Sequence, residues 1–192
     1  SPLPDGLSER LRAAAKQGVD AIALQRVIDP LVLFSVHVNP ELRVKVKRGP
    51  AKAELQQGGY WPCLMKLHNE AISTREVRVD SPQAGPVYSG SALAILERQA
   101  QTDLAENPNL DRENRFLALE VFNKPPMTRR LSGLEVEYLI VLIYSQEAGK
   151  REASIVVDLG QGTQELGFRS ELPILFDIKP AVPVKVRVRD SD

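Results

Sequence analysis

The chain has 192 residues, with 25 Lys plus Arg set against 25 Asp plus Glu, so its formal net charge is zero; 43% of it is hydrophobic and 26% charged. A length of this kind holds roughly one domain, and the composition excludes a collagenous fibre, a disulfide-built scaffold and a strongly basic nucleic-acid binder. No segment approaches the roughly 18 consecutive apolar residues of a membrane helix, so no membrane insertion is expected.

In chain order, the start Ser1-Pro2-Leu3-Pro4-Asp5-Gly6 has neither an initiating Met nor an apolar signal core and reads as a processed or cloned beginning. A short helix is expected next: Ser8 as cap, Glu9 in the first turn, Leu11 and Ala15 on one face and Gly18 as the stop. The stretch from Val19 to Asp29 fits a strand or a helix equally well. From Leu31 the pattern changes to period two. Strands are expected at 31–38, ending at Asn39-Pro40, and at 42–47, ending at Gly49-Pro50. After the Gly58-Gly59 turn, another is expected from Tyr60 to His68, and a further one from Ser73 to Asp80.

Between Ser91 and Glu106, Leu93, Leu96, Ala100 and Leu104 recur at helical spacing, which predicts a helical insertion. Strands resume at 115–122 and at 134–145. The centre of the latter, Tyr138 to Tyr144, is apolar at every position, so a central strand covered on both faces is expected. Glu147-Ala148-Gly149 reads as the turn of a hairpin joining it to 151–159. Strands at 172–178 and 182–189 complete the list. About nine short strands punctuated by turn signals, with no strand–helix–strand alternation, predict a mainly β fold. The expected architecture is a two-layer antiparallel, immunoglobulin-like β-sandwich with a short N-terminal helix and the helical insertion near residues 91–106. Its expected division is an N-terminal helical extension at 1–18, the sandwich at 19–181, and a last strand or the start of a following module at 182–192. A strand meeting the end of the chain at once reads as a piece of a longer protein.

Chemistry-bearing residues are sparse. Cys63 is the only cysteine, which rules out an intrachain disulfide; in a strand it shares a face with Trp61, Met65 and Leu67 and reads as a small buried hydrophobe. The two histidines, His37 and His68, fall inside expected strands, and Cys63 and His68 lie on opposite faces, so no metal site and no cofactor are expected. No Gly-x-Ser-x-Gly string marks a nucleophile elbow, and no catalytic residue is assigned. The acids are spread as Glu135 and Glu137, then Glu147, Glu152 and Asp158; Glu135 and Glu137, on one face at a strand end, read as a solvated edge, with a hydrolase using the scattered acids as a further alternative. Asp190 and Asp192 are spaced like calcium ligands without a loop to complete them. Two basic stripes, Arg43, Lys45 and Lys47 with Arg48, and Lys185, Arg187 and Arg189, could meet phosphate polymers or anionic glycans; alternation alone makes them an outward polar face that also guards a sheet edge. Aromatic residues are 5% of the chain. Tyr60 and Trp61 beside the double glycine, with Tyr88 as a loop companion, are the candidate binding residues for a sugar, although Trp61 also reads as a core anchor.

The string Ile155-Val156-Val157-Asp158-Leu159-Gly160-Gln161-Gly162-Thr163 resembles the phosphate loop of the actin, sugar-kinase and heat-shock ATPase superfamily. The second lobe of that fold has no room here, and the string reads as a turn whose glycines supply positive φ.

Other strings resemble one another's company in a different family. They are Arg26-Val27-Ile28-Asp29-Pro30, His37-Val38-Asn39-Pro40-Glu41, Lys66-Leu67-His68-Asn69-Glu70-Ala71, Gly149-Lys150-Arg151-Glu152-Ala153, and the run from Asp158 to Arg169. Together they resemble an uncharacterised N-terminal β-sandwich region of large secreted bacterial multidomain proteins. Some of those proteins carry a downstream metallohydrolase domain of the polymerase-and-histidinol-phosphatase (PHP) type, whose metal-binding histidines have no counterpart here. The resemblance implies a secreted or periplasmic location and a non-catalytic accessory or interaction role beside neighbouring domains of the same longer chain. A carbohydrate-binding module is the alternative, with a surface glycan as partner. No nucleic acid is expected as a partner.

Overall fold

The computed structural model describes residues 6–16, 20–85, 115–160 and 167–183. The insertion expected near 91–106, Tyr88, the second basic stripe, and Asp190 and Asp192 lie outside the described residues.

Two short helices open the chain. The first, α1 (Leu7–Lys16), starts one residue before Ser8, so Ser8 lies within its first turn, and the Arg10 N–H donates to the carbonyl of Gly6 at 3.0 Å. The ambiguous segment is helical: α2 (Ala21–Ile28) is capped by Asp20, whose Oδ1 accepts from the Ile22 N–H at 2.9 Å. Pro30 cannot continue an α-helix, and the chain passes through a single 3-10 turn, Asp29–Leu31, into the first strand.

Nine strands follow among the described residues: β1 (Val32–Val38), β2 (Val44–Arg48), β3 (Glu54–Gln56), β4 (Tyr60–Asn69), β5 (Arg78–Asp80), β6 (Leu117–Val121), β7 (Val136–Ser145), β8 (Gly149–Asp158) and β9 (Glu171–Lys179). They form a five-stranded sheet in the order β2-β1-β4-β7-β6 and a four-stranded sheet in the order β3-β9-β8-β5. The mainly β expectation holds, but the sheets are mixed rather than antiparallel. β1 pairs with β4 in parallel, and β3 pairs with β9 in parallel. The cause is β3. After the β1–β2 hairpin the chain leaves the larger sheet, adds three residues to the smaller one and returns as β4, so β4 runs the same way as β1. Such a three-residue strand, Glu54-Leu55-Gln56, carries too little periodicity to be read from sequence.

The expected hairpin of β7 and β8 does not form. Both edges of β7 are already occupied, by β4 and β6, while β8 lies in the other sheet between β9 and β5. The turn at Gln146 to Ala148 instead carries the chain from one sheet to the other. Its hydrogen bonds run between the Ser145 hydroxyl and Glu147, and Gly149 follows at φ +102°. β7 is an interior strand as expected, yet only one of its faces is fully covered. Leu139, Val141, Ile143 and Ser145 are buried, while Tyr138, Ile140, Leu142 and Tyr144 are half-buried on the outer face.

The inner faces of both sheets contribute to one apolar core. Phe34, Val36, Met65, Leu67, Val141 and Ile143 of the larger sheet share it with Ile155, Val157, Ile174, Phe176 and Ile178 of the smaller. Each such buried side chain contributes about 1.5–3 kcal/mol relative to exposure. The period of two that builds this core sends the alternate residues of β2, β1, β4 and β7 to the opposite, outer face of the five-stranded sheet, and that face holds the candidate site.

Candidate functional site

β1 and β4, parallel neighbours, leave the sheet through two turns of the same design. Asn39 and Asn69 end the strands, and three residues later Leu42 and Ile72 adopt φ +62° and +53°. In the first turn the Asn39 carbonyl accepts from the Leu42 N–H at 2.9 Å, and its Oδ1 accepts from the Arg43 N–H at 2.7 Å. In the second, Asn69 Oδ1 accepts from the Ser73 N–H and its Nδ2 donates to the Ser73 carbonyl, both at 2.9 Å, with the side chain fully buried. An Asn is needed because its short amide satisfies the backbone that the turn leaves unpaired. The repeated turn brings the ends of β1 and β4 level, so His37 stands opposite His68.

Two cross-strand rows follow from that register. Lys47, Ser35, Lys66 and Tyr138 form one; Lys45, His37, His68 and Val136 form the next. Side chains of Ser35, His37, Lys45, Lys47 and His68, with Val36, line a partly open cavity of about 340 Å³. His37 Nε2 lies 2.9 Å from Glu70 Oε1. Lys66 donates to both carboxylate oxygens of Asp29, at 2.8 and 2.9 Å, and the Tyr138 hydroxyl donates to Asp29 Oδ1 at 2.6 Å. Burial tends to raise the Asp29 carboxyl, but the hydrogen bonds from Lys66 and Tyr138 prevail and hold it below the usual carboxylate range. The Tyr138 hydroxyl is pushed up by burial and by its bond to that carboxylate. Burial, aided by repulsion from Lys66 and His37 and opposed by Asp29 and Glu135, holds the His68 imidazole below its ordinary range.

The aromatic candidates divide between the two faces. Tyr60 and Trp61 are consecutive in β4 and so point to opposite sides of the sheet. Trp61 shares its side with Cys63 and Met65 as expected, but it is not a core anchor. It is 46% exposed, because burial along β4 begins only at Cys63. Tyr60 is 39% exposed and stands opposite Tyr144 of β7, the two ring centroids 5.2 Å apart and tilted by 41°. Burial, with Glu120 and Tyr144 nearby, raises the Tyr60 hydroxyl. The pairing of Tyr60 with Tyr144 was not read from the sequence; the signal for it was the register of the two long strands.

Cys63 is buried, as its face predicted, and burial pushes its thiol up to about 12. The acids are engaged locally. Both oxygens of Glu137 accept from the Ser132 N–H, Asp158 Oδ1 accepts from the Gly160 N–H at 2.7 Å, and Glu147 pairs with Arg151. Gly160 has the positive φ, +69°, expected of a glycine in that string, whose remaining residues from 161 on lie outside the described residues. Glu135 and Glu152 are exposed. Among the described residues no three His, Cys, Asp or Glu side chains gather as a metal site would need, and no helix is long and apolar enough to cross a membrane. Of the first basic stripe, Lys45 and Lys47 reach the outer face, whereas Arg48 turns back onto the carbonyls of Leu33, Gly49 and Ala51.

Comparison of the chain with models of protein families, with curated proteins and with solved structures returns no match.

Proposed function

We propose that this chain is a non-catalytic interaction module, an immunoglobulin-like sandwich in the broad sense, that serves as an accessory segment of a larger exported bacterial protein. The observation that supports a binding rather than a catalytic role is the division of labour between the two faces of the five-stranded sheet. The inner face is apolar and sequesters the one thiol, while the outer face gathers lysines, histidines and tyrosines in register across four strands. The location and the neighbouring domains rest on the family resemblance. The test is a panel of ester, phosphoester and glycoside substrates with and without divalent metal. No turnover above the protein-free rate is expected; turnover that co-purifies with the chain and responds to substitution on the outer face overturns the reading.

A second reading, glycan binding, is favoured by the Tyr60–Tyr144 pair, since half-exposed rings offer an apolar face to a sugar ring. A glycan array compares the protein with Tyr60→Ala and, for the opposite face, Trp61→Ala. Binding lost in the first variant alone supports the pair as platform, and binding by neither the parent nor the variants dismisses the reading.

A further inference from the structure

We propose that the cavity between β2, β1 and β4 on the outer face is a binding site for a phosphoryl group, carried as free phosphate or as a small phosphate ester. This rests on the reading of the chain as a binding module and names the chemistry of its ligand.

The argument begins with charge. Lys66 is answered by Asp29 and His37 by Glu70. Lys45 and Lys47 form no ion pair among the described residues, and both line the cavity. Adjacent strands are about 4.8 Å apart and same-side residues along one strand about 6.8 Å apart. Two ammonium groups on long stems, the Ser35 hydroxyl and the imidazoles of His37 and His68 therefore fall within reach of a single tetrahedral anion. Two unpaired cations match a dianion, and four donor side chains, Lys45, Lys47, Ser35 and His68, match its oxygens better than the two of a carboxylate. Ligand pockets start at about 300 Å³, so a cavity of about 340 Å³ admits a phosphate bearing a small organic group. The ring of His37 is held by Glu70, to which its Nε2 is turned, and it serves as a fixed wall of the cavity.

The environment of His68 agrees. Burial first, then Lys66 on its own strand and His37 on β1, disfavour its protonated form, against Asp29 from the turn after α2 and Glu135 before β7. The part that comes from Lys66 and His37 is repulsion between positive charges, and a bound phosphoryl dianion acts on the imidazole in the opposite sense.

The experiment is an NMR titration of the two imidazoles in the full chain, at constant ionic strength, with inorganic phosphate, glucose 6-phosphate and sodium chloride as probes. Saturable shifts at His37 and His68 are expected with phosphate and with the ester but not with chloride. The midpoint of His68 should rise by about half a unit or more when the site is filled. Lys45→Gln with Lys47→Gln should weaken binding by about tenfold or more at unchanged melting temperature, which one lost charge-assisted bond already accounts for. Lys45→Gln alone serves if the double variant folds poorly. Tighter binding of the ester assigns the organic part to the cavity, and equal binding assigns phosphate itself; both support the site. Shifts that grow linearly with concentration, or that survive in the lysine variants, overturn it and leave the interaction-module reading standing. Release of phosphate from glucose 6-phosphate would instead sink the non-catalytic reading while leaving the site in place.

Discussion

Lys66 and Asp29 tie the N-terminal helical segment to the outer face of the five-stranded sheet: the ammonium of one lies 2.8 and 2.9 Å from the two carboxylate oxygens of the other. Lys66 is largely covered and Asp29 is not, so the pair contributes modestly, and Lys66→Met is expected to cost about 1 kcal/mol. The dependence on pH follows from Asp29. Its carboxyl is lower in the folded chain than in the unfolded one, so its stabilisation is complete above the unfolded value and is lost as pH falls through the folded one. Urea melts across the acid range should show a drop below about pH 4 that is smaller in Asp29→Asn. An identical drop in the variant would refute the link.

Asn69 and Asn39 make similar turns at different depths, 1% and 9% exposed. Asn69 holds Ser73 through both its oxygen and its nitrogen, whereas the Asn39 side chain holds Arg43 through its oxygen. Asn69→Ala strands buried backbone groups and should cost about 2–3 kcal/mol, against about 1 for Asn39→Ala. Asn69→Asp should fare no better, because its second oxygen meets the Ser73 carbonyl. Denaturation midpoints give the order; equal losses at the two positions would contradict it.

Gly49 follows β2 and donates its N–H to Leu33 at 2.8 Å. A Cβ there would lie 2.2 Å from the backbone carbonyl oxygen of Val32, which belongs to the neighbouring strand and cannot swing aside. Gly49→Ala should therefore destabilise by about 3 kcal/mol. Gly58, at φ +76° with open space around its position, should lose only about 1 kcal/mol on the same change. Thermal melts of the two variants check the contrast.

Cys63 should resist alkylation in the folded protein. With the thiol pushed up to about 12 by burial, only roughly one molecule in 10⁴ carries thiolate at about pH 8. Iodoacetamide labelling should be slow in buffer and complete in denaturant, and rapid native labelling would count against the burial.

Most of the strands could be read from sequence because a period of two with one buried face leaves a clear trace, as in Val44-Lys45-Val46-Lys47 and in the run from Cys63 to Asn69. Pairing was less legible. Nothing local in Glu147-Ala148-Gly149 distinguishes a hairpin from a passage between sheets; what decides is that β4 and β6 already flank β7. The same limit hid the site. Lys45, His37 and His68 are visible as outward residues of three separate strands, and only the parallel register of β1 with β4 sets them in one row. Trp61 was misread as core because strand parity reports the side a residue faces and not how far along the strand the covering layer extends.

The excursion of β3 also orders events in time. Gln56 lies opposite Lys179, and their hydrogen bond spans 123 positions. On a ribosome, the early part of the chain would emerge with that strand still lacking its mate. The smaller sheet could close only after β9 has emerged, leaving the nascent polypeptide dependent on holding factors or on its own solubility until then.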